Sequence, residues 1–125
     1  MKVLEVLDLY KTFKKDTVET EVLKGVTFDV EEGDFLGIMG RSWCGKTTLM
    51  RQIGLIDRPT SGTVKIMGKS IREYKEHDLA DMRREKIGFV FQDFRLIDTL
   101  TVEDNILLPL ILGEKGQEGM FSSCR

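Results

Sequence analysis

The chain has 125 residues, 41% apolar and 32% charged, with a formal charge of −2. This length holds one compact domain, and so balanced a charge provides no basic field for a nucleic-acid partner, so none is expected. Cys44 and Cys124 make neither a disulfide framework nor a CxxC pair, and Glu5 and Asp8 interrupt the N-terminal stretch where a signal peptide would be continuously apolar.

Val3, Leu4, Val6, Leu7 and Leu9 predict a strand over residues 2–9. The polar run KTFKKDTVETE reads as a loop around Phe13, and VLKGVTFDV as a second strand with a bulge at Gly25. After the turn EEGD, Phe35 to Met39 read as a fully buried strand. Leu49, Met50, Ile53 and Ile56 then recur at helical spacing. DRPTSG is a turn and TVKIMG a short strand. Residues 76–86 predict a solvated helix with Leu79 and Met82 on one face, carrying the single histidine, His77, and Arg83 and Arg84 as surface groups. IGFVF reads as another buried strand ending at Gln92. Thr101 and Asp104 resemble a capping box before VEDNILLPLIL, a helix kinked or ended near Pro109. Ile106 to Leu112 is too short to span a bilayer. The last stretch has no period; residues 114–125 are expected to be a disordered tail.

Between the Phe35–Met39 run and the helix stands GRSWCGKTT, which matches G-x-x-x-x-G-K-[ST]. Gly40 lets the chain leave the strand sharply, and Gly45 lets main chain approach phosphate oxygens with no Cβ between. The N–H groups of Arg41, Ser42, Trp43, Cys44 and the following helical turn then point at an anion, with the helix dipole adding to them. Lys46 supplies positive charge to β and γ phosphates, and Thr47 a hydroxyl to Mg²⁺. The pattern arises by accident in well under about 1% of chains this long, and its setting between an apolar run and a helical period lowers that further.

With this loop, Gln92 and their spacing, the chain resembles the ATP-binding domain of ABC transporters along LKGVTFDVEEGDFLGIMGRSWCGKTTLMRQIGLIDRPTSGTVKIMG and REKIGFVFQDFRLIDTLTVEDNILLPLIL. The likeness covers residues 1–113 and is strongest to the branch serving lipoprotein release and macrolide export. It implies an α/β P-loop NTPase fold, with an N-terminal antiparallel β subdomain and part of a RecA-like core sheet with helices. It implies ATP and Mg²⁺ as cofactors, with Phe13 stacking on adenine (Tyr10 competes for this role) and Thr48 reaching an α-phosphate. Gln92 would ligate Mg²⁺ beside Thr47 and help position the attacking water, making Gln92 and Lys46 the catalytic candidates. A transmembrane permease and a second ATP-binding domain are the implied partners, at the cytoplasmic face of the membrane.

Trp43 departs from the pattern, since that branch usually has glycine there. If the loop needs positive φ, the indole costs about 1–3 kcal/mol and weakens ATP binding; otherwise it turns outward harmlessly. Cys44, among loop dipoles, is a candidate for alkylation. No LSGGQ-like segment, apolar strand ending in Asp-Glu or later switch histidine occurs in these residues. The expectation is therefore a partial or truncated cassette without turnover of its own. The alternatives are a non-catalytic interaction module and another P-loop enzyme such as a kinase.

Overall fold

The computed structural model describes residues 1–112, so the tail expected at 114–125 lies outside the described residues. The chain divides into two compact units, Met1–Leu79 and Ala80–Arg125.

In the first unit, Lys2–Lys15 forms β1 and Val18–Glu31 forms β2. The stretch expected as a loop is therefore mostly strand: Thr12 pairs with Glu21, Phe13 with Thr20 and Lys15 with Val18. Only Asp16 and Thr17 turn, with Asp16 at φ 55° as tight hairpins demand. Both faces of this tip meet solvent, so no apolar alternation marks it in the sequence.

Ser61–Ile66 (β3) and Lys69–Ser70 (β4) complete an antiparallel sheet of order β2-β1-β3-β4. Val6 and Val64 sit opposite each other, both wholly buried. Leu9 is buried too, three positions after Val6, because Asp8 breaks the pleat at φ 44° and donates its amide to Thr27 Oγ1 at 2.9 Å. That irregularity explains the loose alternation of the first strand. Gly62 packs directly on it: a Cβ there would lie 2.1 Å from the Asp8 carbonyl oxygen. Gly25 is left without a partner between the Leu9–Val26 and Tyr10–Lys24 pairs, the expected bulge.

Lys46–Ile53 forms α1. It buries Leu49, but Met50 is 41% exposed and Ile56 lies beyond the helix end, so the apolar stripe is narrower than its spacing predicts. Gln52 takes the remaining core position, wholly buried with neither amide atom hydrogen-bonded. Leu23, Leu55, Ile66 and Ile71 close this core. Arg51 Nε donates to Asp57 at 2.7 Å, and this hydrogen bond holds the Asp57 carboxyl below its ordinary value of 3.8.

Glu76–Lys86 forms α2 as predicted, with Leu79 buried and His77 exposed. Val102–Leu112 forms α3, which runs through Pro109 rather than ending there. Its start is capped as expected: the Asp104 amide donates to Thr101 Oγ1 at 3.1 Å, and the Thr101 hydroxyl to Asp104 at 2.7 Å. Asn105 clasps the preceding loop, accepting from the Ile97 amide at 2.8 Å and donating to the carbonyls of Ile97, Leu100 and Thr101. Among the described residues no helix is long and apolar enough to cross a membrane.

Two expected strands are not formed. Phe35 to Met39 pair with nothing, and Phe35 and Met39 are 101% and 93% exposed. Residues 87–91 are also irregular, with Val90 96% exposed. Apolar sequence alone does not make a strand; its N–H and C=O groups need a ladder neighbour, and no described strand pairs with either stretch.

Gln52→Leu is expected to stabilise the protein by about 1–2 kcal/mol, since it removes a desolvated amide without emptying its site; urea denaturation checks this. The ion pair of Asp57 contributes stability above its unfolded pKa, and this is lost as pH falls through the lower folded value. Because Arg51 is 42% exposed, the contribution is at most about 0.5–1 kcal/mol. The stability gap between wild type and Asp57→Asn is expected to stay constant near neutrality and to close below pH 3.8.

Candidate functional site

The loop Gly40–Gly45 leads directly into α1. Its first bend is a turn in which the Cys44 amide donates to the Arg41 carbonyl at 3.3 Å. Trp43 is the third residue of that turn at φ 69°, a position that favours glycine. Its indole is fully exposed. Both expectations for this residue are thus met in part: the backbone is left-handed, and the side chain turns outward.

Gly45 caps α1 at φ 100°. It is seated on β2, where an added Cβ would lie 3.1 Å from both Val22 Cγ1 and the Val22 carbonyl oxygen. The first helical bond runs from the Leu49 amide to the Gly45 carbonyl at 2.8 Å. The amides of Lys46, Thr47 and Thr48 precede it, so they have no intrahelical acceptor. They are candidate donors to an anion, with the positive end of the helix dipole behind them.

Lys46 folds back over the loop. Its Nζ donates to the Gly40 carbonyl and, at 2.9 Å, to the Arg41 carbonyl, with Cys44 Sγ 3.8 Å away. An ammonium has three donors; here two go to loop carbonyls and the third to the Cys44 thiol, so all three tie the lysine to its own loop. Cys44 is a free, exposed thiol. Ser42 and Thr47 are exposed, and Thr48 is half-buried.

Of the two aromatic candidates, the Tyr10 ring is engaged with β2: a Cβ on Gly25 would meet its hydroxyl at 2.9 Å. Phe13 projects from β1 with 45% of its surface open and Lys11 Nζ 5.2 Å from its ring centre. Lys11 pairs with Leu23, whose side chain would meet a Cβ on Gly45 at 3.2 Å, so the register places Phe13 two residues along β1 from the position opposite the seat of the phosphate loop. Gln92 is exposed and belongs to the second unit, whereas Thr47 and the loop belong to the first. Sequence reasoning missed Lys11, Gln52 and Asn105; the lysine-aromatic spacing Lys11-x-Phe13 was the one available signal.

A glycine-capped loop tied by its own lysine, opening a helix beside an antiparallel sheet, defines a P-loop nucleotide-binding cassette. The model of the ABC transporter family matches residues 23–123, and the chain belongs to that family. It is 44% identical over 110 residues to the bacitracin export ATP-binding protein BceA of Halalkalibacterium halodurans, spanning 88% of this chain and 44% of that protein. It is 47% identical over 117 residues to the ABC transporter ATP-binding protein YxdL of Bacillus subtilis, spanning 94% and 45%. The dimeric bacterial ABC transporter cassette MJ0796 superposes with a TM-score of 0.82 at 41% identity, over 86% of this chain and 47% of that one. The same cassette in a dimeric post-hydrolysis state bound to ADP and Pi gives 0.84 at 39%, over 93% and 51%. The chain therefore spans about half the length of the relatives it matches.

Trp43→Gly is expected to raise folding stability by about 0.5–1 kcal/mol, the relief of left-handed strain less glycine's greater unfolded-state entropy. Urea denaturation measures it, and a loss of stability would mean that the indole packs.

Proposed function

We propose that this chain binds MgATP through Gly40–Thr48, as part of an ATP-binding subunit that powers an export permease. The observation that carries this reading is the juxtaposition of three helix-start amides that have no intrahelical acceptor with a lysine ammonium folded over the same loop. The donor set fits a polyphosphate: N–H groups and one cation, with no acidic side chain hydrogen-bonded to the loop. Gly40, Arg41, Ser42, Trp43, Cys44 and Gly45 contribute main chain, Lys46 charge, and Thr48 a further contact. Phe13 is the proposed adenine platform, because its ring is open where that of Tyr10 is engaged.

Mg²⁺, when bound, neutralises phosphate charge; Thr47 and Gln92 are the residues proposed to hold it. Lys46 then binds the terminal phosphates, and Gln92 orients water. Hydrolysis and its coupling to export are proposed for the full-length cassette paired with a second one, at the cytoplasmic face of the membrane. The permease is proposed to dock near the apolar groove lined by Leu96, Ile97, Leu100, Val102 and Ile106, which follows Gln92 in the chain.

Calorimetry tests the binding step. MgATP is expected to bind the wild-type chain, and Lys46→Ala to weaken it about ten- to hundredfold through loss of charge-assisted hydrogen bonds. Trp43 emission follows the same titration, because the only tryptophan lies in the loop. No heat and no fluorescence change in wild type would favour an interaction module instead.

A further inference from the structure

We infer that Lys11 is a positioning residue for base recognition, holding the Phe13 ring as a platform from the face opposite the base. The inference rests on the reading of Phe13 as the adenine platform and adds the group that makes it one. Lys11 Nζ lies 5.2 Å from the ring centre, inside the distance at which an ammonium is attracted by an aromatic face. The same ammonium donates to the Arg58 carbonyl at 2.6 Å, on the turn that follows α1.

This turn is itself sewn to β1. The Thr60 amide donates to the Tyr10 carbonyl at 3.0 Å, and the Thr12 amide to Thr60 Oγ1 at 3.0 Å. Lys11 is therefore a half-buried cation clamped between a ring and a fixed carbonyl, unlike the exposed Lys14 and Lys15 further along the hairpin. Phe13 needs such a clamp. It sits on a solvated strand tip, and among the described residues no other ring contact holds it. A freely rotating ring would have to be ordered each time a base binds, whereas a clamped one is ordered in advance. The cation lies over the ring while 45% of the residue's surface stays open to a purine.

The test separates base recognition from phosphate recognition. Affinities of the 125-residue chain for MgATP and for magnesium tripolyphosphate, which has no base, are measured by calorimetry. Lys11→Met, which keeps the alkyl stem, is expected to lower MgATP affinity about three- to tenfold while leaving tripolyphosphate unchanged. Lys11→Arg restores the wild-type ratio, because a guanidinium also sits on an aromatic face. Phe13→Ala tests the underlying reading: if it leaves the ratio of the two affinities unchanged, Phe13 is no platform and both statements fall. If Phe13→Ala lowers the ratio but Lys11→Met does not, only the role of Lys11 is overturned. Equal loss of both ligands in Lys11→Met would mark a purely structural lysine, and a gain in MgATP affinity would show that it obstructs the ring; either result overturns the inference.

Discussion

The seat of Gly45 against β2 is the contact on which the rest of the site depends. The phosphate loop has little regular structure of its own: one turn bond at its front and a lysine folded over its carbonyls. What gives it a fixed place is that its last residue has no Cβ. A Cβ there would lie only 3.1 Å from both Val22 Cγ1 and the Val22 carbonyl oxygen, so glycine lets the main chain settle close against the strand. Everything downstream inherits that position. The free amides of α1 begin at Lys46, and Leu49, one turn on, is buried in the core. The hairpin that carries Lys11 and Phe13 is the same hairpin on which Gly45 sits, so ring and cradle share one rigid reference.

The antiparallel sheet and the core sheet differ in how self-sufficient they are. Each strand of the former finds its partner within a short stretch of chain: β1 with β2 through a two-residue turn, β3 with β4 through Met67 and Gly68. Antiparallel pairs close locally, whereas buried parallel strands draw their neighbours from distant crossovers. Phe35 to Met39 and residues 87–91 have the composition of the second kind. Unpaired, they expose Phe35, Met39 and Val90 almost completely. Their apolar character was legible as strand-forming, but pairing is a property of the partner as much as of the segment. Such open, apolar strand-formers are templates for association until a neighbour covers them.

Other features were legible in proportion to how locally they are encoded. The loop, the start of α3 at Thr101 and the extent of α2 follow from residue types a few positions apart. The strand character of Phe13 did not show, since a solvated two-sided hairpin has no polarity pattern, and its pairing with Thr20 is set by the turn at Asp16. Gln52 was invisible because a polar residue in a helix reads as surface; only the packing of α1 on the sheet puts it inside. Asn105 was hidden likewise: its four hydrogen bonds reach back over residues 97–101, which a helical period does not report.

Trp43 shows why so short a motif survives so bulky a substitution. The proposed anion site is built of main chain, so what matters is where the amides point, and the left-handed turn at φ 69° keeps glycine-like geometry with an indole attached. The cost of this conformation is carried by the protein before any ligand arrives. A strain present in both the free and the bound state cancels from the binding equilibrium; it lowers stability instead. The indole itself is fully exposed, so no packing of its side chain offsets that strain.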